Sequence, residues 1–218
     1  MISEDARMFY SIDENDHGLP FNPFKGCVVP RPIGWISTRS ASGVNNLAPY
    51  SFFNAISDNP PMVVYGSNGQ QPHGPKDTLR NIEETGVFVV NVATWDLRDA
   101  MNASSHPHLP EVDEFQSAGL SAEMGRLVAA PRVVERPISL ECRLHQVLDL
   151  PSDDPASRNA AVFGRVVAVH IDPQVLTNGQ VDPRKLRPIA RLGYRDYAVI
   201  NDVFAMTRPG GGDARIGL

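Results

Sequence analysis

The run Arg31-Pro-Ile-Gly-Trp-Ile-Ser-Thr38, then Ser-Gly turn chemistry, then Asn46-Leu-Ala-Pro-Tyr-Ser-Phe-Phe-Asn54, constrains this chain more than any other feature. Both runs set hydroxyls or amides among apolar residues, and together they read as two strands of a hairpin. The first strand candidate extends from Cys27 to Thr38. Pro30 and Pro32 remove ladder donors, so its start belongs at a sheet edge or a bulge. The second extends from Asn46 to Ile56 and is broken by Asp58-Asn-Pro-Pro61. Lys76-Asp-Thr78 follows and opens a helix. Asp77 or Thr78 is its expected N-cap, Leu79 to Glu84 its body and Gly86 its stop. The three elements can surround a planar ligand that carries a phosphate.

The remaining segments favour strands. Met62–Tyr65 and Val87–Val92 are short apolar strands, separated by a flexible loop from Gly66 to Pro75 that includes His73. Leu97 to Ser104 has a helical pattern, and His106 to Gly119 is a proline-punctuated excursion with a short helix near Phe115. Ser139 to Leu148 alternates, placing Leu140, Cys142, Leu144 and Leu148 on one face. Ala161 to Ile171 is the longest strand candidate, and Asp182 to Pro188 a connector or short helical turn. Many strands with hairpin signals and few helices predict a mainly β chain, a β-barrel with helical insertions, because closure removes the exposed edges. There is no internal repeat and no shift of composition. The expected layout is an N-terminal arm over 1–23, one barrel domain over 24–205 and a flexible tail over 206–218.

Composition narrows the function classes. With 218 residues, 42% of them hydrophobic, the chain can bury a substantial core. A formal charge of −5 argues against a general nucleic-acid binder. The first ten residues are acidic where a secretory leader is basic, and no apolar run approaches the ~20 residues that cross a bilayer, so a cytoplasmic chain is expected. Cys27 and Cys142 read as free, buried or half-buried thiols. His106 and His108 are close in sequence, yet a His-Pro-His loop with Glu111 and Asp113 downstream is no metal-ligand pattern, and no metal is expected. The chain has no G-x-G-x-x-G, no Walker loop and no G-x-S-x-G elbow, and no base neighbours Cys27. No catalytic acid–base pair is evident.

A phosphate requires a cation, hydroxyls and main-chain N–H groups, and a helix N-terminus supplies the last with a favourable dipole. Lys76 and Thr78 fit that demand. Asp77 would repel phosphate if turned inward, so its expected work is to cap the helix or hold Lys76. The strand from Asn46 to Asn54 offers a flat ring both an apolar wall and a polar edge. Arg191-Leu-Gly-Tyr194 combines a guanidinium, a glycine and an aromatic ring. It could close over a planar cofactor, anchor a dimer interface, or simply form a turn before a terminal helix.

These segments in this order, together with Asn59-Pro-Pro61, Asn81, Phe88-Val-Val-Asn91 and the Arg191–Tyr194 element, resemble the flavin reductase-like family, whose fold is the FMN-binding split barrel, Greek-key-like in topology. The resemblance runs from about Phe24 to about Tyr197. It implies a homodimer with FMN near the dimer interface. It places Ser37 and Thr38 beside the flavin, Asn46, Ala48, Tyr50, Ser51 and Phe52 along the ring or ribityl chain, and Lys76 and Thr78 on the phosphate with Asp77 in support. Arg191 and Tyr194 contribute from near the interface. It further implies hydride transfer from NADH or NADPH to flavin, with a partner oxygenase as one receiver of the reduced flavin. A non-enzymatic FMN-binding electron-transfer protein of flavoredoxin type needs the same pocket and is the alternative. A split barrel holding pyridoxine phosphate is a third reading, disfavoured by the Asn46–Asn54 strand.

Overall fold

The computed structural model describes residues 8–71, 74–207 and 209–210. His73 and most of the glycine-rich tail from Gly211 onward, which the sequence marks as a loop residue and a flexible end, lie outside them. The first half of the chain runs α1 (Phe24–Cys27), β1 (Arg31–Pro32), β2 (Gly34–Arg39), β3 (Asn45–Tyr50), β4 (Phe53–Asp58), β5 (Pro61–Asn68), α2 (Asp77–Thr85), β6 (Val87–Val92), α3 (Arg98–Ala103) and α4 (Glu114–Ser117). The second half runs β7 (Ala122–Met124), β8 (Pro131–Val133), β9 (Ile138–Leu150), β10 (Asn159–Ile171), β11 (Leu176–Thr177), β12 (Gln180–Val181), α5 (Pro183–Leu186), β13 (Ile189–Arg191) and β14 (Tyr197–Val199).

Seven strands form one antiparallel sheet in the order β3-β2-β6-β9-β10-β5-β4. The outer strands β3 and β4 are consecutive in sequence, joined only at Ser51 and Phe52. The sheet therefore curls back on itself, and the Tyr50 ring of β3 lies 4.7 Å from that of Tyr65 in β5. This is the mainly β barrel that the hairpin signals predict. A second sheet, β1-β13-β14, joins the start of the barrel to the end of the chain.

The barrel interior holds Ile36, Tyr50, Val63, Tyr65, Phe88, Val90, Cys142 and Val162, and α2 closes one end by inserting Leu79 and Ile82. A second core lies outside the barrel wall, where Trp35, Leu47 and Val133 meet Met101 of α3 and Phe115 of α4. Both faces of β2 and β3 are thus covered. The Trp35 indole donates to Ser104 Oγ at 2.9 Å, which ties the α3 end to that wall.

Several boundaries differ from the sequence reading, each for a local reason. Cys27 ends a helical turn, Phe24–Cys27, rather than starting the strand, and the prolines split the remainder into β1 and β2. The Asn46–Ile56 strand breaks at Ser51–Phe52, where the wall turns the corner. In β9, His145 is a bulge residue, since Leu144 pairs with Gly164 and Gln146 with Phe163. One extra residue reverses the alternation beyond it, so Val147 packs on the interior and Leu148 stays exposed. The Arg191–Tyr194 element turns between two strands, β13 and β14, not into a terminal helix. Both thiols are unpaired, with Cys142 buried and Cys27 exposed. Among the described residues, no helix is long and apolar enough to cross a membrane.

Candidate functional site

The site is built on one face of the β2–β3 hairpin. Register pairs Thr38 with Asn46, Ile36 with Ala48 and Gly34 with Tyr50. Period-two alternation therefore brings Asn46, Ala48 and Tyr50 to the same side. The start of α2 meets that side. Asn46 Nδ2 donates to Thr78 Oγ1 at 2.8 Å and to Thr38 Oγ1 at 3.2 Å, and Asn81 Nδ2 donates to the same Thr38 oxygen at 3.0 Å. Thr38 thus orients Asn46 and α2 from beneath and does not itself line the opening.

Asn46, Ala48, Tyr50, Lys76, Asp77 and Thr78 line a cavity of about 110 Å³, together with Gln71, Ser105, His106 and Glu114. Pro49 and Ser105 also line a cavity of about 190 Å³ that reaches Ser51 and Arg191. Ser51 and Arg191 in turn border a cavity of about 780 Å³ with Phe52, Tyr194, Phe21, Lys25 and Arg31. The three cavities adjoin through shared wall residues and form a row, the groove, polar at the α2 end and aromatic at the other. Every residue that the resemblance implies lies on it except Thr38, just below, and Ser37. Ser37 departs from the expectation. Adjacent strand residues face opposite ways, and its hydroxyl turns outward to the carbonyls of Val89 and Pro131 while accepting from Asn91 Nδ2 at 3.0 Å.

The helix start also departs from expectation. Lys76, not Asp77 or Thr78, occupies the N-cap, and it makes no side-chain capping bond. Asp77 stands in the first turn and forms an ion pair with Arg80. Gly86 ends α2 at φ 71°, its N–H on Ile82 O at 2.8 Å, as the stop signal requires. Lys76 Nζ lies 5.6 Å from the centroid of the Tyr50 ring. Burial, and then the neighbouring Lys25, lower the Lys76 pKa. Burial pushes the Tyr50 phenol up to about 12 and keeps it a neutral hydroxyl.

At the wide end, Arg31 and Arg191 sit opposite each other on β1 and β13. The Arg31 guanidinium donates to the carbonyls of Lys25, Val28 and Leu192 and stands 5.8 Å from the Phe52 ring centroid. Arg191 donates to the Tyr197 hydroxyl and the Tyr194 carbonyl. Both guanidiniums use neutral acceptors, so their charges remain available to the cavity. Phe21 meets Tyr194 edge to face at 5.8 Å. A Cβ on Gly193 would fall 2.8 Å from Gly26 Cα, which is why the β13–β14 turn can lie directly on α1.

The sequence reading missed Gln71, Ser105, Lys25, Arg31 and Phe21 as wall residues. It also left the role of the His106–Glu114 insertion open. That insertion supplies His106 and Glu114 to the narrow end. Glu114 is buried, its Oε2 accepts the Leu47 N–H at 3.1 Å, and burial raises its pKa to about 7. Its carboxyl holds a proton more tightly in the folded chain than in the unfolded one. Between about pH 4.5 and 7 the folded state binds more protons, so this group's contribution to stability falls as pH rises and is level above that window. Glu114→Gln keeps an acceptor for Leu47 and removes the titration. Urea midpoints of wild type and variant should diverge from pH 5 to pH 7, with the variant gaining; parallel curves would show that Glu114 does not titrate in this range.

A family model described as "Flavin reductase like domain" matches residues 26–191. An uncharacterized protein of Aquifex aeolicus is 36% identical over 191 residues, covering 87% of this chain and 94% of that one. The crystal structure of nitrilotriacetate monooxygenase component B from Bacillus cereus superposes with a TM-score of 0.84 at 28% identity, covering 92% of this chain and 99% of that one. Pseudomonas fluorescens 2-nitrobenzoate 2-nitroreductase NbaA gives a TM-score of 0.79 at 27% identity, covering 92% of this chain and 96% of its own. With the family model spanning most of the chain and the barrel in place, the chain belongs to the flavin reductase-like family.

Proposed function

We propose that this chain is an FMN-dependent flavin reductase that takes a hydride from NADH or NADPH and works as a homodimer. The observation that carries this reading is the row of adjoining cavities, with Lys76 and an uncapped helix start at one end and, at the other, rings with guanidiniums that form no ion pair among the described residues. The donor set fits FMN. Gln71 Oε1 is buried at the narrow end without a hydrogen-bond partner among the described residues, as suits an acceptor awaiting a ribityl hydroxyl. Among the described residues, no carboxylate forms an ion pair with Lys76, as suits a phosphate ligand.

When bound, FMN supplies a ring that accepts a hydride from the nicotinamide and later releases electrons to a second acceptor. The chain's own residues hold and shape. Lys76 and the first turn of α2 would hold the phosphate, with Asn46 placed between Thr38 and Thr78 by its hydrogen bonds to both. Ser51, Phe52 and Tyr194 form walls for the flat rings, and Arg31, Arg191 and Lys25 set a positive field that favours anionic nucleotides and the extra charge of a reduced flavin. Hydride transfer depends on stacking two planar groups in register.

Strand β4 supports the dimer. It is the last strand of the sheet, and Asn54 to Asp58 are exposed, with Ile56 at 48%. Such an edge is ready to be covered by a second copy. The similarity to component B of a monooxygenase supports a partner oxygenase as receiver of reduced flavin. Anaerobic addition of NADH or NADPH to the FMN-loaded protein tests the reading. Bleaching of the visible flavin absorbance is the expected result. Flavin binding without bleaching by either nucleotide would leave an electron carrier of flavoredoxin type, and failure to bind FMN at tens of micromolar would end both.

A further inference from the structure

A second cavity, of about 410 Å³, lies away from the flavin groove. Its walls include Arg126, Arg132, Arg136 and His170, and Asp172 is the carboxylate that borders it. Four segments meet there: the β7–β8 turn, β8, the residues leading into β9, and the end of β10.

Arg136 is the centre of this cluster. It is only 4% exposed, an unusual burial for a charged side chain. Its Nε donates to Asn91 Oδ1 at 3.3 Å, and that oxygen also accepts the Val133 N–H at 3.0 Å, so the guanidinium is held in place from one side. Its Nη2 is buried with no hydrogen-bond partner, and so is Nε of Arg132. A buried guanidinium donor is rarely left unmet.

The nearby carboxylates do not meet this demand. Glu123 pairs with Arg132 through Nη2. Glu135 accepts from the Ser121 N–H at 2.9 Å. Glu141 is fully buried and committed to His170 Nε2 at 2.6 Å and to the main-chain N–H groups of Arg126, Leu127 and Val128. Asp172 accepts the Gln174 N–H at 2.9 Å. Each has its own partner, and none is hydrogen-bonded to Arg136. Burial, and next the charge of Arg132, bring the Arg136 pKa down to about 10, against the opposing pull of Glu123, Glu135 and Asp172.

We propose that this cavity is a binding site for a small phosphate-class oxyanion, inorganic phosphate or a compact phosphomonoester, held between Arg132 and Arg136 with Arg126 at the rim. Planar guanidinium forks from separate segments suit the several oxygens of a tetrahedral dianion, which one carboxylate could not satisfy together. The fixed Nε of Arg136 sets its orientation before the ligand arrives.

Calorimetric titration of inorganic phosphate at constant ionic strength tests the site. It is done on FMN-saturated protein and on the Lys76→Ala variant, so that phosphate entering the flavin groove is not counted. Saturable binding in both is expected. Arg136→Gln should weaken it roughly tenfold or more, the loss of a charge-assisted contact, with FMN affinity unchanged in the visible spectrum. Arg126→Gln, on the exposed rim, is the companion variant if Arg136→Gln does not fold, and should weaken phosphate severalfold. No saturable binding of phosphate, or equal binding in the variants and the wild type, overturns the proposal whatever the flavin groove binds.

Discussion

Lys76→Ala is expected to weaken FMN binding by roughly tenfold or more, about 1.5–3 kcal/mol, the range for a lost charge-assisted contact. The size follows from the setting of the ammonium. Lys76 is half-buried at the N-cap of α2, and its charge is disfavoured by burial and by Lys25. A phosphate dianion in the adjoining cavity would relieve both penalties at once. The residue therefore has more to gain from an anion than a freely hydrated surface lysine, for which an ion pair contributes little. Absorbance titration of FMN into wild type and variant gives the comparison. The fold should be untouched, because Lys76 makes no capping bond and among the described residues forms no ion pair. An unchanged dissociation constant would reduce Lys76 to a bystander and move the phosphate end of the groove elsewhere.

The same residues show how far the sequence could be read. Asn46, Ala48 and Tyr50 were legible as a set because they alternate on one strand of a local hairpin, and a register once fixed by its turn fixes all three. Ser37 and Thr38 were not separable by resemblance alone, although alternation requires adjacent strand residues to face opposite ways. Here both faces are buried, so the apolar pattern does not show which is which. The wide end of the groove was the least legible part. It depends on β1 meeting β13, two very short strands about 160 residues apart in the chain, far below the length at which periodicity gives a signal. Lys25 and Phe21 reach the groove only through that meeting. Glu114 comes from an insertion with no regular pattern, and its sequence cue is no more than one of several carboxylates, next to Asp113 and just before Phe115 at the start of a short helix. The His145 bulge is invisible for a different reason: an extra residue in one strand is defined only by its partner.

Arg31→Ala should be the most damaging single change at the wide end, with a loss of stability of about 1–3 kcal/mol, from part-buried main-chain acceptors left without a donor. Arg31 is 6% exposed, and its guanidinium satisfies carbonyls in three places: Lys25 in α1, Val28 in the link to β1, and Leu192 in the β13–β14 turn. Removing it frees the two ends of the chain from each other at the point where Gly193 and Gly26 touch. Arg31→Lys should recover little of the loss, because a single ammonium cannot reach acceptors spread around a planar fork. Urea unfolding measures the stability, and the dissociation constant of the nicotinamide nucleotide from the FMN-loaded variant reports on the wall. Nucleotide binding should weaken while the FMN phosphate contact through Lys76 persists, which separates this variant from Lys76→Ala. If Arg31→Ala unfolds within about 1 kcal/mol of wild type, the usual range for a surface position, water replaces the guanidinium at all three carbonyls and the wide end is held by its aromatic contacts.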